Sequence, residues 1–581
     1  MTKDNLLSKY YRDNPFFTVI ANKLVWIKTE SEIIPLISGV LAITKEITEL
    51  NGIDETIVFE ISATDKQGKA LKTIKVNSGD FLSLNWIVKS YGCKLPFSPN
   101  NATKQKIIQA LLISGENSQK ETIYTNTGYL FDFDNNPVNY LFFGGNILHD
   151  LEIKTDINPI LSNYVLLDSD NKQEIKSVFD KTIQILELND YYVTFPLLSF
   201  AFMPALKPVI DSVISRQSFG IYLKGKTQSG KSTIASIITS FYGCFDSYNS
   251  TCSFNATANG IQEISFILKD SINWIDDFLP RFDKQENKKQ NLIMQNIARY
   301  IGDNDSRLKL NSDSTIRANH NARCFFIMTG ENDLQIGQSG IARIFTIPLI
   351  RHNCNIIEFS NYAKKGNYTK LTSDFIRFVI ANFEALKITF ENAYNKALTE
   401  SIERFNENRL SKQTALLKAC FYCFLYYAKS NNFVNSKQAK QLYADCIENI
   451  NKASTKSDSE IASNDLEYKY KLALSDLLKT GRKYLIDLFD PKRQNFDLGI
   501  NENVIGYFDS EYIYLDSNLT YKAICEYWQN ENEYFSITKN QIQFQLLKSG
   551  FFISSNDNPC IVKNIKGKSI RLLRIHKNGI I

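Results

Sequence analysis

Hydrophobic positions change their spacing several times along the chain, and each change marks an element. Alternation over 56–62, a turn at Asp65-Lys66-Gln67-Gly68 and an extended run to Val76 predict a hairpin. Helical spacing follows over 81–90 and 104–113, and a strand pair flanks Asp134-Asn135-Asn136-Pro137, with Tyr140 to Phe143 running into Gly144-Gly145. These predict a mixed α/β domain over residues 1–175, in which no chemical constellation stands out. Helical patterns over 176–188 and 196–213 then lead into a short apolar strand, 219–223.

Beyond it come a helical run from Thr233, a polar loop over 252–260 and an amphipathic helix over 261–268. A mostly apolar strand over 271–277 ends in two acids. Residues 300–323 alternate around a polar tip at 311–314 and predict a hairpin, followed by strands at 324–328 and 344–348. Residues 176–355 thus form a second, α/β domain. Residues 356–510 read as a helical lid or collar with apolar spacing over 375–386, 413–428 and 436–449, while 454–465 is polar and charged and reads as a linker or exposed loop. In 511–581, a helix over 519–528, a capping box at Thr538-Lys-Asn-Gln541 and paired strands at 560–564 and 569–575 predict a winged helix.

Composition adds little to this picture. The 581 residues carry a net charge of +5, so any basic site must be local. No apolar run approaches the roughly 18 residues of a membrane span, and the start lacks an apolar signal region, which predicts a soluble, cytoplasmic protein without membrane contact. Of ten cysteines only Cys420 and Cys423 lie close together, inside an apolar helical pattern, and they read as buried thiols rather than zinc ligands.

The chemistry concentrates at Gly225-Lys226-Thr227-Gln228-Ser229-Gly230-Lys231-Ser232-Thr233. A strand, a glycine-bounded loop and a helix make the context of a phosphate-binding P-loop, in which backbone N–H groups and the helix N-terminus face phosphate oxygens. Lys231 is then placed for the β- and γ-phosphates of ATP and Ser232 for Mg²⁺. The acids that end the 271–277 strand fit a Walker B position: Asp276 for Mg²⁺ and Asp277 to orient or deprotonate water, against the alternative of a solvated acidic turn. The strand ending Thr329-Gly330-Glu331-Asn332 offers groups to sense the γ-phosphate, with Thr329, Glu331 and Asn332 all open. Arg343, just before the 344–348 strand, suits an arginine finger reaching a neighbouring subunit, or else an ordinary core-edge arginine. The hairpin carries Arg307, Lys309, Arg317 and His320. From Lys563 to Lys577 there are six basic residues (Lys563, Lys566, Lys568, Arg571, Arg574 and Lys577) and no acid, which suits phosphate contacts on DNA.

This order of motifs resembles the hexameric AAA+ helicases of superfamily III. The Asn255-Ala-Thr-Ala-Asn-Gly260 loop and the Thr329-Gly-Glu331 strand end look like the MCM-like helicases of mobile elements, those of staphylococcal cassettes and pathogenicity islands included. The resemblance is strong over about 190–350. It implies a P-loop AAA+ ATPase core in a homo-hexameric ring, with a hairpin whose Lys309 and Arg317 grip DNA in the channel. The sequence departs from that pattern where many relatives end the sensor strand in Thr-Asn. The function expected is an ATP-dependent DNA helicase or translocase of a mobile element or prophage. The alternative is a DNA-binding AAA+ regulator or remodelling ATPase without unwinding activity.

Overall fold

The computed structural model describes residues 5–12, 14–214, 219–278, 284–303, 320–334, 336–350, 356–406, 408–463, 466–489, 503–531, 535, 537–554, 558–565 and 567–577, without the side chains of 284–288, 338 and 460–463. Near the N-terminus, the expected hairpin pairs Glu55–Asp65 with Ile74–Asn77 in an antiparallel register. It belongs to a five-stranded sheet in which Gly39–Leu50 pairs antiparallel with Glu55–Asp65 and parallel with Gln119–Tyr124. The helix Asn101–Glu116 lays Ile107, Ala110 and Leu111 on this sheet, and its Ser114 hydroxyl accepts the Ile43 N–H at 2.9 Å. The apolar core so formed runs only from Leu7 to Leu111. Tyr129, Tyr140, Tyr164, Leu166 and Ile175 instead join the central core, so the boundary expected at 175 does not follow the packing. Tyr140 makes the reason visible: its hydroxyl donates to the Asp270 carbonyl at 2.6 Å, a pairing 130 residues away that no local pattern reveals.

The centre is an all-parallel sheet of β1 (Gly220–Lys224), β2 (Cys252–Ser253), β3 (Ile272–Phe278), β4 (Phe325–Gly330) and β5 (Ile344–Pro348), in the spatial order β2-β3-β4-β1-β5. Its strands are covered on both faces, which is why they read as near-continuous apolar runs. Helices follow its strands: α1 (Lys231–Thr239) after β1, α2 (Ala258–Ile267) after β2 and α3 (Lys284–Asp303) after β3, with a single turn, Gln338–Ile341, between β4 and β5.

The helical block shares this core rather than standing beyond it. The helices Asn367–Ala381, Phe383–Phe405, Arg409–Ser430 and Ser436–Ser463 contribute Phe375, Leu386, Phe424 and Ile450 to the same apolar cluster as Ile221 and Trp274. Cys420 and Cys423 are fully buried there, on one helix. The polar stretch expected as a linker over 454–465 is helical up to Ser463. Two of its serines face inward with partners: Ser454 pairs with the Thr414 hydroxyl at 2.7 Å, and the Ser457 hydroxyl accepts the Thr346 N–H of β5 at 3.1 Å. Polarity here satisfies buried groups instead of solvating a loop.

The C-terminal part is a five-stranded sheet in the order Tyr484–Asp487, Val504–Phe508, Tyr512–Leu515, Lys568–His576, Cys560–Ile565. The helices Leu466–Lys479, Ser517–Asn530 and Lys539–Lys548 pack on it through Leu474, Ile524 and Leu546. The expected capping box is present, with Gln541 Oε1 accepting from the Thr538 N–H at 3.4 Å and its hydroxyl at 2.7 Å. Packing moves the start of this unit from the expected 511 back to 466, because the helix from Leu466 buries its apolar face against the later helices. Among the described residues, no helix is long and apolar enough to cross a membrane.

Candidate functional site

β1 ends at Lys224, and the chain then turns sharply around Gly225. The Gly225 N–H donates to the Gly330 carbonyl of the neighbouring strand at 3.1 Å, and a Cβ at Gly225 would lie 2.7 Å from Ser229 Oγ and 2.8 Å from the Leu349 carbonyl. Gln228 and Gly230 take left-handed backbone angles (φ +64° and +88°), which curls the loop back onto the start of α1. Gly230 stands at the N-cap and no side chain caps the helix, so the N–H groups of its first turn face the concavity of the loop. Lys226, Thr227 and Gln228 are exposed around this concavity, and Thr233 lies half-buried in the first helical turn.

The side chains at its floor come from three parallel strands and the helix. Lys231 Nζ donates to the Gly225 and Lys226 carbonyls at 2.7 and 2.9 Å and stands 3.7 Å from Glu331 Oε1. Ser232 Oγ donates to Asp276 Oδ1 at 3.0 Å, and the Thr329 hydroxyl of β4 donates to the same carboxylate oxygen. The Asp277 N–H donates back to that hydroxyl at 3.2 Å. Asp277 itself is exposed, with φ +67°, in the register shift between Ile275 and Phe278, beyond which β3 pairs again with Gly330 of β4. Glu331 accepts from the Thr227 hydroxyl at 2.5 Å, and the Asn332 carbonyl accepts from the Tyr222 hydroxyl at 2.7 Å. Asp333 pairs with Lys224. Sequence reasoning missed Asp333 and Tyr222. The register of β1 against β4, which sets Lys224 opposite Gly330, is what links them.

The donor set suits a nucleoside triphosphate with Mg²⁺. Mg²⁺ bound with phosphates takes one or two protein oxygens and keeps several waters, and Ser232 Oγ and Asp276 Oδ1 form such a pair. Ser229 Oγ is buried at the edge of the loop without a hydrogen-bond partner, an orphan that a phosphate oxygen or water would satisfy.

Other candidate residues are placed differently. Arg343 does not project outward as a finger would. It is 8% exposed, its Nη1 donates to the Ala298 carbonyl of α3 at 3.3 Å, and the end of its side chain packs against Gly302. The absence of a Cβ at Gly302 opens this slot, a long-range fit that position before a strand does not disclose. Arg307, Lys309 and Arg317 lie outside the described residues. His320, just after them, stacks on Phe266 with centroids 4.0 Å apart and stands between Glu263 and Asp54, at 3.0 and 3.1 Å. Next to it, Arg323 donates to the Phe266 carbonyl and to the Asn51 carbonyl, so the 51–54 loop of the N-terminal unit is tied to the segment entering β4.

The C-terminal basic run is partly consumed by its own sheet. Lys563 pairs with Asp509 at 3.0 Å and lies over the Tyr514 ring. Burial pushes the Asp509 carboxyl up, but hydrogen bonds from the Tyr512 N–H, Tyr514 and Lys563 outweigh it and hold the group well below the usual carboxylate range. Arg574 donates to the Ile553 carbonyl, and Lys577 lies over the Phe508 ring. Lys568 and Arg571 are exposed on the hairpin, and Lys566 lies outside the described residues.

Residues 162–321 match a family described as a domain of unknown function, DUF927. The chain has a helicase-like, mixed α/β fold with a helical block. One solved structure similar to it is the active helicase Cch of SCCmec type IV, at 12% identity and a TM-score of 0.56, with 97% of each chain covered. No curated protein matches the sequence.

Proposed function

We propose that the chain is an ATP-driven DNA helicase or translocase of a mobile element, with a P-loop AAA+ core and a C-terminal winged helix, working as a ring of like subunits. The observation that carries this reading is the Ser232–Asp276 hydrogen bond, which joins the start of α1 to the end of β3 at the floor of the glycine loop. The likeness of the whole fold to that of an active helicase supports it.

Lys231 would exchange the loop carbonyls for the β- and γ-phosphates, and the uncapped first turn of α1 would hold phosphate oxygens through its N–H groups. Ser232 and Asp276 would hold Mg²⁺, which neutralises charge developing on the phosphates. Thr329 fixes the carboxylate of Asp276, Asp277 would orient the attacking water, and Glu331 would register the γ-phosphate through its links to Lys231 and Thr227. Lys566, Lys568 and Arg571 would contact duplex phosphate.

ATP hydrolysis with and without single-stranded DNA, together with displacement of a labelled strand from a fork, tests the reading. Wild type is expected to displace the strand in an ATP-dependent way, and Lys231→Ala to lose hydrolysis at least a hundredfold on removal of its phosphate cation, as for other charge-stabilising groups (roughly 10²–10³). Hydrolysis retained in Lys231→Ala would overturn the site. Hydrolysis indifferent to DNA would replace the helicase by an ATPase that remodels protein.

A further inference from the structure

The N-terminal unit carries an open groove that the nucleotide site does not use. Leu24, Trp26 and Lys28 alternate on one face of the strand Lys23–Thr29, running from the buried core out to solvent. The helix Asn101–Glu116 sets Lys106, Gln109 and Leu112 beside them, and Phe16 closes one end, 58% exposed. The space between measures about 520 Å³. Lys106 Nζ stands 4.4 Å from the centre of the Trp26 ring and 2.9 Å from Gln109 Oε1. Lys28 is exposed and pairs with Glu32 at the rim.

This geometry points to a binding site for single-stranded nucleic acid, in which an unstacked base lies against Trp26 and Phe16 while Lys28 and Lys106 turn to the flanking phosphates. Three features select that occupant. Aromatic faces beside ammonium groups are what a sequence-tolerant strand site needs. The charged side chains of the walls are both cations, which favours a polyanion over a neutral peptide. The Lys106 ammonium over the half-buried Trp26 ring is held at the mouth of the groove and can turn to a phosphate. A duplex keeps its bases stacked and offers nothing to the rings. The inference rests on the reading of the chain as a DNA translocase, and gives its N-terminal unit a strand-guiding role.

Tryptophan emission of the full chain, titrated with a 20-nucleotide oligo-dT without ATP, tests it. Trp86, Trp274 and Trp528 are buried, so quenching by stacked bases reports on Trp26. Wild type is expected to show saturable quenching. Trp26→Phe should lose the quench yet bind a labelled oligonucleotide within about threefold of wild type, because the ring still stacks. Trp26→Ala should weaken binding about tenfold at a temperature where the variant is folded. Replacing Lys28 and Lys106 by alanine should reduce the slope of log K against log salt by about 1.4, two phosphate contacts' worth.

Binding by wild type without a change in emission would overturn the site, as would unaltered affinity in folded Trp26→Ala. An emission change on dilution without DNA would show that a second copy fills the groove instead. Strand displacement without the quench would sink this inference alone, while the quench without ATP-dependent displacement would sink the helicase reading alone.

Discussion

Thr329 and Asp276 sit on neighbouring strands, and the threonine hydroxyl donates to the carboxylate oxygen that also accepts from Ser232. The hydroxyl is in turn held by the Asp277 N–H at 3.2 Å. Thr329 thus aims the carboxylate without needing to touch nucleotide. Thr329→Val keeps the shape and removes that aim. Turnover of ATP is expected to fall about tenfold, in the range seen for groups that orient metal ligands. KM for ATP should change less than kcat, and Thr329→Ser should recover most of the rate in steady-state assays.

Arg343 is expected to act through stability. Arg343→Ala removes a buried guanidinium together with its hydrogen bond to Ala298, a loss of about 2–3 kcal/mol in denaturant unfolding. Gly302→Ala checks the same contact from the other side. In a helix this change ordinarily gains up to about 1 kcal/mol, but here the new Cβ would run into the Arg343 Nε and the sign reverses. Folded Arg343→Ala is therefore expected to keep ATP hydrolysis. Hydrolysis lost in that variant and restored on mixing with Lys231→Ala subunits would show that Arg343 leaves its slot to serve a neighbour.

Ser457→Ala should destabilise by about 1–2 kcal/mol, because the Thr346 N–H in β5 loses its acceptor in a buried place. A lower melting temperature with unchanged KM for ATP is the expected result. A flexible linker would tolerate the substitution without loss.

Acid sensitivity has an identifiable contributor in Asp168. Hydrogen bonds from Arg377 lower its carboxyl to about 2, and His149 adds to this. The unfolded value is about 3.9, so the stabilisation is complete above that and is lost as pH falls towards 2. Asp168→Asn should therefore be less stable than wild type at pH 7, and the gap between their urea midpoints should narrow at pH 3. A constant gap would assign the effect to packing.

Where chemistry and local pattern coincide, the sequence was informative. Gly225 to Ser232 needs both its glycines and its flanking strand and helix, and the run ending at Asp276 is apolar because β3 is buried on both faces. The capping box at Thr538 is likewise a local device. What escaped depends on distant partners. Ser454 and Ser457 look like loop residues until Thr414 and β5 are set against them. Tyr129 and Tyr140 read as part of an N-terminal domain until Asp270 is beside them. Arg343 turns inward only because Gly302 leaves room.

The sheet order also bears on how the protein can be divided. β1 lies between β4 and β5, and both of these follow residue 321, where the DUF927 match ends. A fragment trimmed to that match would leave β1 without either neighbour, and β3 could not reach it. Recurrence in sequence and autonomy in folding are therefore separate properties here. The smallest piece with a closed central sheet must extend through Pro348, and burial of Phe375, Phe424 and Ile450 in the same core carries it on to the helices beyond.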